Sequence, residues 1–125
     1  MKIGIDIQDV SKIATLSVGT LARIFTSREH KYIESKNDAP ETVAGIWAAK
    51  EAYFKALGIG ITHNRMGEVE IRHEDTGAPY LTNEGERISD AHISISHTPT
   101  TAVAVCVIAP QHRASTPTES KQDVA

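Results

Sequence analysis

Three groups of side chains in this 125-residue chain have the types and spacing needed to handle a charged substrate. The first is Asp6, which stands between Ile5 and Ile7 in a segment with the alternation of a strand. A carboxylate among core residues must be hydrated, paired or bound to a metal, because burying it without a partner costs free energy. Asp6 is therefore a candidate metal ligand or catalytic group, although an acid that caps backbone at a sheet end would have the same neighbours.

The second group lies in the segment 47–55, Trp-Ala-Ala-Lys-Glu-Ala-Tyr-Phe-Lys. On a helix, Glu51 neighbours Trp47 one turn back and Lys55 one turn ahead, so it lies at the border of the apolar stripe. A carboxylate and an ammonium in this position can hold a divalent cation and an anionic substrate side by side. They can equally form only an i,i+4 surface pair, worth about 0.2–0.5 kcal/mol.

The third group combines Ser96-His97-Thr98 with Gly58-Ile59-Gly60. His97 lies at a predicted strand end between two hydroxyl residues, which suits hydrogen bonds to a phosphate or a purine. The simpler interpretation is an exposed histidine at a hairpin, and a helix cap followed by a turn at the two glycines.

The overall composition narrows the class of protein. The 13 basic residues against 16 acidic ones leave a net charge of −3, which argues against a protein whose main task is to hold nucleic acid backbone. The single cysteine, Cys106, cannot form an internal disulfide, and its apolar surroundings predict a buried strand residue. No apolar stretch reaches the ~20 residues of a membrane helix. Asp6 also interrupts the segment that would be apolar in a signal peptide, so we expect a cytoplasmic protein.

These side chains must be positioned by a mixture of helices and strands. Ile3, Ile5 and Ile7 alternate with other residues and predict a strand whose isoleucine face is buried. Apolar residues recur at helical spacing over 10–25, and a Thr26–Glu29 capping box predicts a helix to about residue 35. The clearest predicted helix runs over about 39–57. Strands are predicted at 67–72 and 80–82, a short helix at 84–91, and a hairpin from the strands 91–96 and 102–108. The fold class is therefore α+β, one domain over 1–108, with a disordered tail over 109–125 that is rich in polar residues.

In their order along the chain, these motifs resemble the holo-(acyl-carrier-protein) synthase family of phosphopantetheinyl transferases. The resemblance spans 1–108 and rests on Gly4-Ile5-Asp6-Ile7, Arg23-Ile24-Phe25-Thr26 with Glu29, the Lys50-Glu51-Ala52 helix with Lys55 and Gly58, Gly77-Ala78-Pro79, and Ser94-Ile95-Ser96-His97-Thr98. It implies a small antiparallel sheet packed against a long helix, in a homotrimer whose sites lie between subunits.

The resemblance also implies the chemistry. The serine hydroxyl of an apo acyl carrier protein attacks the phosphorus of coenzyme A that bears the pantetheine arm, and adenosine 3',5'-bisphosphate leaves. Mg²⁺ would be held by Asp6 and Glu51, with Lys55 on the phosphates and either Glu51 or a metal-bound water as the base. Gly58 and Gly60 would let backbone approach the coenzyme, and Ser96, His97 and Thr98 would contact its nucleotide end, the partner subunit completing the site.

The chain departs from the family pattern at two positions. Lys12 stands where the family usually has Arg, in the region that docks the acidic carrier helix, and Ile46 stands where Arg commonly precedes the aromatic residue. Lysine keeps the charge but not the bidentate fork of arginine. Lys12, Arg23 and Arg28 remain candidates for carrier docking, and the loss at Ile46 points to a specialised, polyketide-type carrier as an alternative to the fatty-acid one.

Two readings from other classes stay open on the sequence. One is a non-catalytic relative that binds the carrier and keeps the fold, against which the presence of Asp6, Glu51 and Lys55 argues. The other is a structural oligomer with ordinary ion pairs, in which case coenzyme A would not raise the melting temperature.

Overall fold

The computed structural model describes residues 1–60 and 63–110. Its strands are β1 (Lys2–Asp9), β2 (Val69–His73), β3 (Pro79–Asn83), β4 (Glu86–Arg87), β5 (Ala91–His97) and β6 (Thr101–Ile108). Its helices are α1 (Val10–Ile13), α2 (Val18–Ile24), α3 (Ser27–Ser35), α4 (Pro40–Leu57) and α5 (His63–Met66). The predicted α+β class is confirmed, whereas the predicted tail lies from residue 111 onward outside the described residues. Within the described ranges, no helix has the length and apolar character needed to cross a membrane.

The strands form two antiparallel sheets of three strands each. One has the order β1-β6-β5 and the other the order β2-β3-β4. In the first sheet Asp6 is opposite Ala104 and Gln8 is opposite Ala102, which is in turn opposite His97 on β5. Helix α4 lies against β1, β6 and β5, and β3 contacts β5 where the two sheets meet. The first sheet and α4 therefore carry most of the residues that the sequence singles out.

The predicted burial of the isoleucine face of β1 is wrong for the single chain. Ile3, Ile5 and Ile7 are 63%, 61% and 67% exposed, while Gly4 and Asp6 on the opposite face are buried. The strand itself is as predicted, because period-two alternation indicates a strand but does not say which face meets the helix. The small and polar set faces α4, and the three isoleucines cover the outer face of the sheet.

Helix α4 approaches β1 closely because Gly4 has no side chain. A Cβ atom at Gly4 would lie 2.0 Å from the Ala52 carbonyl oxygen and 2.6 Å from the Ala56 amide nitrogen. The helix begins with Pro40, whose fixed φ suits the first turn, and ends at Gly58 in the left-handed conformation (φ 75°). This approach brings the polar border of α4 beside Asp6.

A buried ion pair joins α3 to α4. The Lys50 ammonium lies 2.6 Å from the Glu29 carboxylate, and both side chains are fully buried. Glu29 also accepts from the amides of Thr26 (2.9 Å) and Ile71 (2.6 Å), while Lys50 donates to the Ile24 carbonyl oxygen (2.5 Å). Burial raises the pKa of Glu29 and lowers that of Lys50, and the charge of each partner opposes the shift of the other.

The short helix predicted at 84–91 is replaced by a tight hairpin. Glu84 and Gly85 both have positive φ angles (51° and 84°) and join Asn83 to Glu86, which are paired across β3 and β4. Two successive residues with φ above zero are typical of the type I′ hairpin turn, which glycine favours. The preference of Gly85 for this turn overrides the helix propensity of the glutamates on either side of it.

Candidate active site

A glutamine links the two predicted metal ligands. The side-chain amide nitrogen of Gln8 donates to the Asp6 carboxylate at 2.7 Å and to the Glu51 carboxylate at 2.6 Å. Asp6 and Gln8 are two residues apart on β1, so both side chains point to the face that α4 covers. Two carboxylates that are distant in sequence therefore share one hydrogen-bond donor.

The Glu51 carboxylate is further oriented from within its own helix. The indole Nε1 of Trp47, four residues earlier, donates to the same Glu51 oxygen that accepts from Gln8. Trp47 itself is buried, because its ring packs against Phe25. The carboxylate is thus aimed at β1 by two donors on rigid elements.

Lys55 completes the cluster on its solvent side. Its ammonium lies 3.1 Å from the second oxygen of Asp6 and 3.2 Å from the Ile5 carbonyl oxygen. The Asp6 side chain is only 6% exposed, while that of Lys55 is 49% exposed. The structure therefore brings together Asp6, Glu51 and Lys55, as the sequence predicted, and leaves the ammonium accessible to an anion from solution.

The donor set suits a hard divalent cation. Mg²⁺ is usually held by one or two protein carboxylates, with water and substrate phosphates completing its shell. Asp6 and Glu51 supply two such carboxylates, and in the described part of the chain no group of three or more His, Cys, Asp or Glu side chains stands together. A two-carboxylate site fits magnesium and does not fit a closed zinc site, which needs four ligands.

The two glycines that follow α4 border open space. Gly58 has the left-handed conformation of the helix cap, and a Cβ atom placed on Gly58 or on Gly60 would meet no atom of the described residues within 4 Å. The φ angle of Gly60 is not positive, so its backbone conformation would also allow a residue with a side chain. In the described part of the chain, the backbone at both glycines is therefore open to approach.

The predicted nucleotide-binding residues lie apart from the carboxylates. His97 is opposite Ala102, which is opposite Gln8, so about two strand spacings of ~4.8 Å separate β5 from β1. Ser96 points to the other face of β5, and the Thr98 hydroxyl accepts from the amides of Thr100 and Thr101 in the hairpin turn. Within one chain these residues do not meet Asp6 or Glu51.

His97 instead lines a cleft between the two sheets. The cleft has a volume of about 240 Å³, and its walls include Ile46 from α4, Gly77 and Pro79 from the hairpin, and His73 from β2. The His73 ring is stacked on Tyr32 at 3.7 Å between centroids, and its buried Nδ1 atom has no hydrogen-bond partner among the described residues. Burial, followed by the charge of Lys36, lowers the pKa of His73, which favours the neutral ring.

The candidate docking residues lie on three successive short helices. Lys12, Arg23 and Arg28 are all exposed, on α1, α2 and α3 respectively. Arg28 lies 3.6 Å from Glu70, and the guanidinium of Arg23 donates to the Thr20 hydroxyl at 3.4 Å. Their role in docking remains a prediction.

Sequence reasoning missed Gln8 and the hydrogen bond of Trp47. The signal for Gln8 is its position two residues after Asp6, which places both side chains on one face of a strand. Trp47 was assigned to the apolar stripe of the helix, which is correct for its ring. The spacing of four residues to Glu51 also signals the bond of its Nε1.

Comparison with known proteins places these features in a family. Residues 2–108 match the model of the 4'-phosphopantetheinyl transferase superfamily. The holo-(acyl-carrier-protein) synthase of Alkaliphilus oremlandii is 40% identical over 116 residues, covering 84% of this chain and 95% of that protein. That of Anoxybacillus flavithermus is 42% identical over 115 residues, covering 85% and 92%.

Solved structures show the same likeness. The crystal structure of a holo-(acyl-carrier-protein) synthase from Bacillus anthracis in complex with CoA (3',5'-ADP) superposes with a TM-score of 0.74 at 38% identity, covering 86% of this chain and 94% of that one. The Helicobacter pylori enzyme in complex with coenzyme A gives 0.71 at 29% identity, covering 86% and 99%.

Proposed function

Because the chain belongs to the 4'-phosphopantetheinyl transferase superfamily, we propose that it acts as a holo-(acyl-carrier-protein) synthase. It transfers the phosphopantetheine arm of coenzyme A to a serine of an apo acyl carrier protein and releases adenosine 3',5'-bisphosphate. Relatives of 40–42% identity carry that name over most of the chain. We assign the reaction to the cluster in which Gln8 links Asp6 to Glu51 while Lys55 pairs with Asp6.

We assign the cation site to Asp6 and Glu51. Their two carboxylates, held by donors on β1 and α4, have the hardness and number that Mg²⁺ takes from a protein. When bound, the cation supplies positive charge to the pyrophosphate of coenzyme A. Phosphoryl-type transfer needs little covalent chemistry from the protein, so orientation and charge neutralisation provide most of the rate.

Lys55 serves the phosphates directly. Its ammonium has a fixed partner in Asp6 and a half-exposed side chain, so it can contact an incoming phosphate without losing its position. In the transfer, the serine oxygen forms a bond to phosphorus, the bridging P–O bond of the pyrophosphate breaks, and the hydroxyl proton passes to a base. Glu51 is the candidate base that the chain itself supplies.

The outer face of the first sheet supports a homotrimer. Ile3, Ile5 and Ile7 are more than 60% exposed, and they are opposite Val107, Val105 and Val103 of β6, which makes an apolar stripe two strands wide. Large exposed apolar patches mark interaction sites on soluble proteins. We propose that the chain acts in the cytoplasm. In the trimer, Ser96, His97 and Thr98 of one subunit would reach the nucleotide end of a coenzyme held by Asp6 and Glu51 of the next.

Two variants test the trimer. Ile3→Glu puts a charge in the stripe, and analytical ultracentrifugation should show that it breaks the trimer, while Val18→Glu, which alters an 84% exposed valine on α2, leaves it intact. Mixed trimers of Glu51→Gln and His97→Ala chains should regain activity that neither variant has alone. A wild-type monomer that is fully active contradicts the shared site.

The reaction is tested by mass spectrometry. Apo acyl carrier proteins of the fatty-acid and polyketide types are each incubated with the protein, coenzyme A and Mg²⁺. We expect at least one to gain the mass of a phosphopantetheine arm, with no gain in the presence of a chelator or with Glu51→Gln. The matched control Glu34→Gln, an exposed glutamate on α3, keeps full activity.

The same protein is then tested for coenzyme A binding by its melting temperature. If neither carrier is modified and coenzyme A gives no Mg²⁺-dependent rise, the proposed function is wrong. A clear rise without modification shows that the physiological carrier is of another type.

A further inference from the structure

A second cavity, which we call the arginine cavity, lies between α3 and the edge strand β2 and has a volume of about 240 Å³. It is lined by Arg28 and Tyr32 from α3, Ile71, Arg72 and His73 from β2, and Tyr80 from β3. The stacked rings of Tyr32 and His73 also line the cleft that contains His97, so the two cavities are neighbours. None of the lining residues belongs to the cluster of Asp6 and Glu51.

A single carboxylate orients both guanidinium groups of the arginine cavity. Glu70 accepts from the Nε atom of Arg72 at 2.7 Å, and the Nε atom of Arg28 lies 3.6 Å from the same oxygen. The other Glu70 oxygen accepts from the Thr26 hydroxyl at 2.6 Å, so the carboxylate is itself fixed. Burial raises the pKa of Glu70, but its hydrogen bonds and the two arginine charges outweigh burial and leave that pKa below its ordinary value.

The terminal nitrogens of both arginines remain available for a ligand. Among the described residues, neither Arg28 nor Arg72 uses an Nη atom in a hydrogen bond. The Nη1 and Nη2 atoms of a guanidinium form a fork that matches two oxygens of a phosphate or carboxylate. The side chains are 63% exposed in Arg28 and 26% exposed in Arg72, so an anion from solution can reach both. Two oriented forks therefore border one cavity.

The charges around the arginine cavity favour a dianion. The two arginines against Glu70 leave one positive charge. The ammonium of Lys36, 5.5 Å from the centre of the Tyr32 ring, adds a second. A phosphate monoester carries a charge of about −1.5 to −2 at pH 7 and has three terminal oxygens, enough for two forks. One fork already satisfies the two oxygens of a carboxylate, so the arrangement suits a phosphate better.

Aromatic rings form the apolar part of the wall. Tyr32 and His73 are stacked with their ring planes 1° apart, and Tyr80 follows on the neighbouring strand. The guanidinium of Arg87 lies 4.3 Å from the centre of the Tyr80 ring and is paired with Glu74, so it adds no net charge. Aromatic rings pack favourably on other rings. Pockets for drug-sized ligands measure about 300–1,000 Å³, so this smaller cavity suits a ligand with one ring.

We propose that the arginine cavity binds a phosphate monoester that carries a single flat ring. The forks of Arg28 and Arg72 hold the phosphate, and the ring packs against the aromatic wall. Glu70 is a positioning residue, since it sets the direction of both forks and leaves their ends to the ligand. This site is separate from the one proposed for the cation and coenzyme A, and it does not depend on that proposal.

Binding is tested with phenyl phosphate as the probe, without metal or coenzyme A. Incorporation of 3-fluorotyrosine gives three ¹⁹F signals, because the chain has three tyrosines, Tyr32, Tyr53 and Tyr80. Tyr32→Phe and Tyr80→Phe assign them. The probe should shift the signals of Tyr32 and Tyr80 and leave in place that of Tyr53, which lies on α4 outside the cavity. Shifts of all three signals, or of none, overturn the inference.

Charge variants distinguish an oriented site from general attraction, with calorimetry as the readout. Arg72→Gln should weaken the binding of phenyl phosphate about tenfold, the low end of what a hydrogen bond to a charged group contributes. Arg72→Lys keeps the charge without the fork and should also bind more weakly. Lys31→Gln removes an exposed charge from α3 outside the cavity and should leave the affinity unchanged. Wild-type affinity in Arg72→Lys, or equal losses in Lys31→Gln and Arg72→Gln, contradict the proposal.

The Arg72 variants are expected to fold, because Glu70 keeps the Thr26 hydroxyl and the charge of Arg28. Thermal denaturation checks this. If Arg72→Gln does not fold, Arg28→Gln replaces it, since that side chain is 63% exposed and its loss leaves the stronger Glu70 contact intact. Arg28→Gln should then weaken the binding of phenyl phosphate, and an unchanged affinity overturns the inference.

Two further probes define the class of ligand. Inorganic phosphate lacks the ring and should bind about fivefold more weakly than phenyl phosphate, in line with the contribution of one aromatic pair. Benzoate has the ring with a carboxylate and should also bind more weakly than phenyl phosphate. Equal affinity for the two phosphates would contradict the role of the aromatic wall, and tighter binding of benzoate would contradict the choice of phosphate.

The separation of the two sites is tested directly. Lys55→Met removes the ammonium of the proposed active site and should bind phenyl phosphate as tightly as the wild type. One equivalent of coenzyme A with Mg²⁺ should leave the probe-induced shifts of Tyr32 and Tyr80 in place. Loss of binding in Lys55→Met, or loss of the shifts with coenzyme A, would overturn a separate site. The proposed transfer reaction is judged by mass spectrometry alone, so each proposal can fail without the other.

Discussion

Two neighbouring residues of α4 take part in two different acid–base clusters. Lys50 is paired with Glu29, both side chains are fully buried, and backbone groups of Ile24 and Ile71 also hydrogen-bond to the pair. Glu51, the next residue, faces β1 at the rim of the core and belongs to a cluster whose ammonium, on Lys55, is half exposed. The same residue types therefore hold the fold together on one side of the helix and remain open to a ligand on the other.

The two clusters differ in how completely hydrogen bonds and opposite charges compensate their carboxylates. Glu29 accepts three hydrogen bonds, including two from backbone amides that also fix α3 and β2. Such a pair gains little net stability, but removing one partner leaves a buried charge uncompensated. Asp6 and Glu51 are instead two like charges linked by a neutral amide, an arrangement that a cation improves.

The largest expected effect comes from the open cluster. Asp6→Asn and Glu51→Gln should each lower the rate of phosphopantetheine transfer by about a thousandfold, because each removes a carboxylate that we propose holds the cation which neutralises the phosphates. Both should leave the melting temperature nearly unchanged. Rates by mass spectrometry and thermal denaturation check the two halves of this prediction. Full activity in both variants would remove the assignment of the metal.

The buried cluster should behave in the opposite way. Lys50→Met should lower the free energy of unfolding by about 3–5 kcal/mol, because Glu29 is left buried without its counter-charge. Urea denaturation measures this loss. Below its melting temperature the variant should retain a transfer rate close to that of the wild type. A variant that keeps its stability and loses its activity would mean that Lys50, too, acts at the site.

Lys55 tests the solvent side of the open cluster. Lys55→Met should lower the transfer rate by about a hundredfold, within the range found for removing one charge-stabilising donor. Its effect on stability should be small, since the ammonium is half exposed and such pairs contribute about 0–1 kcal/mol. Steady-state kinetics with varied coenzyme A check this. An unchanged KM and rate would assign Lys55 to a surface pair only.

The smallest expected effect on stability concerns Cys106, a buried thiol that stays neutral at ordinary pH. It lies opposite Gly4 in β6, and burial, followed by the charge of Asp90, raises its pKa to about 11. Unfolded cysteine ionises near pH 9, so stability is retained below that pH and lost as the pH rises toward 11. Between pH 8 and 10, the free energy of unfolding of the wild type should fall by about 1 kcal/mol more than that of Cys106→Ala.

Thiol labelling provides an independent check of the same assignment. At pH 8 the native protein should resist a disulfide reagent that modifies Cys106 rapidly in urea. Rapid labelling without denaturant would show that this strand opens far more readily than a buried core strand should.

Most elements of the fold were predictable because they depend on local signals. The Thr26–Glu29 capping box, Pro40 at the first turn of α4 and Gly58 at its end each act within a few residues, and the structure has all three. The helix prediction at 84–91 was wrong because the structure there depends on strand pairing and not on local signals alone. The positive φ angles at Glu84 and Gly85 depend on pairing between β3 and β4, which glutamate propensity does not report.

The sequence by itself determined which residue types are present for the chemistry, and their order predicted Asp6, Glu51 and Lys55 as site residues without any coordinates. Only the tertiary structure decided that Gly4 and Asp6, and not the isoleucines of β1, face α4. It also decided that Gln8 lies between the two carboxylates and that Lys50 is buried while Glu51 is not. The physical reason is that periodicity fixes which residues share a face, whereas burial depends on which face another element covers.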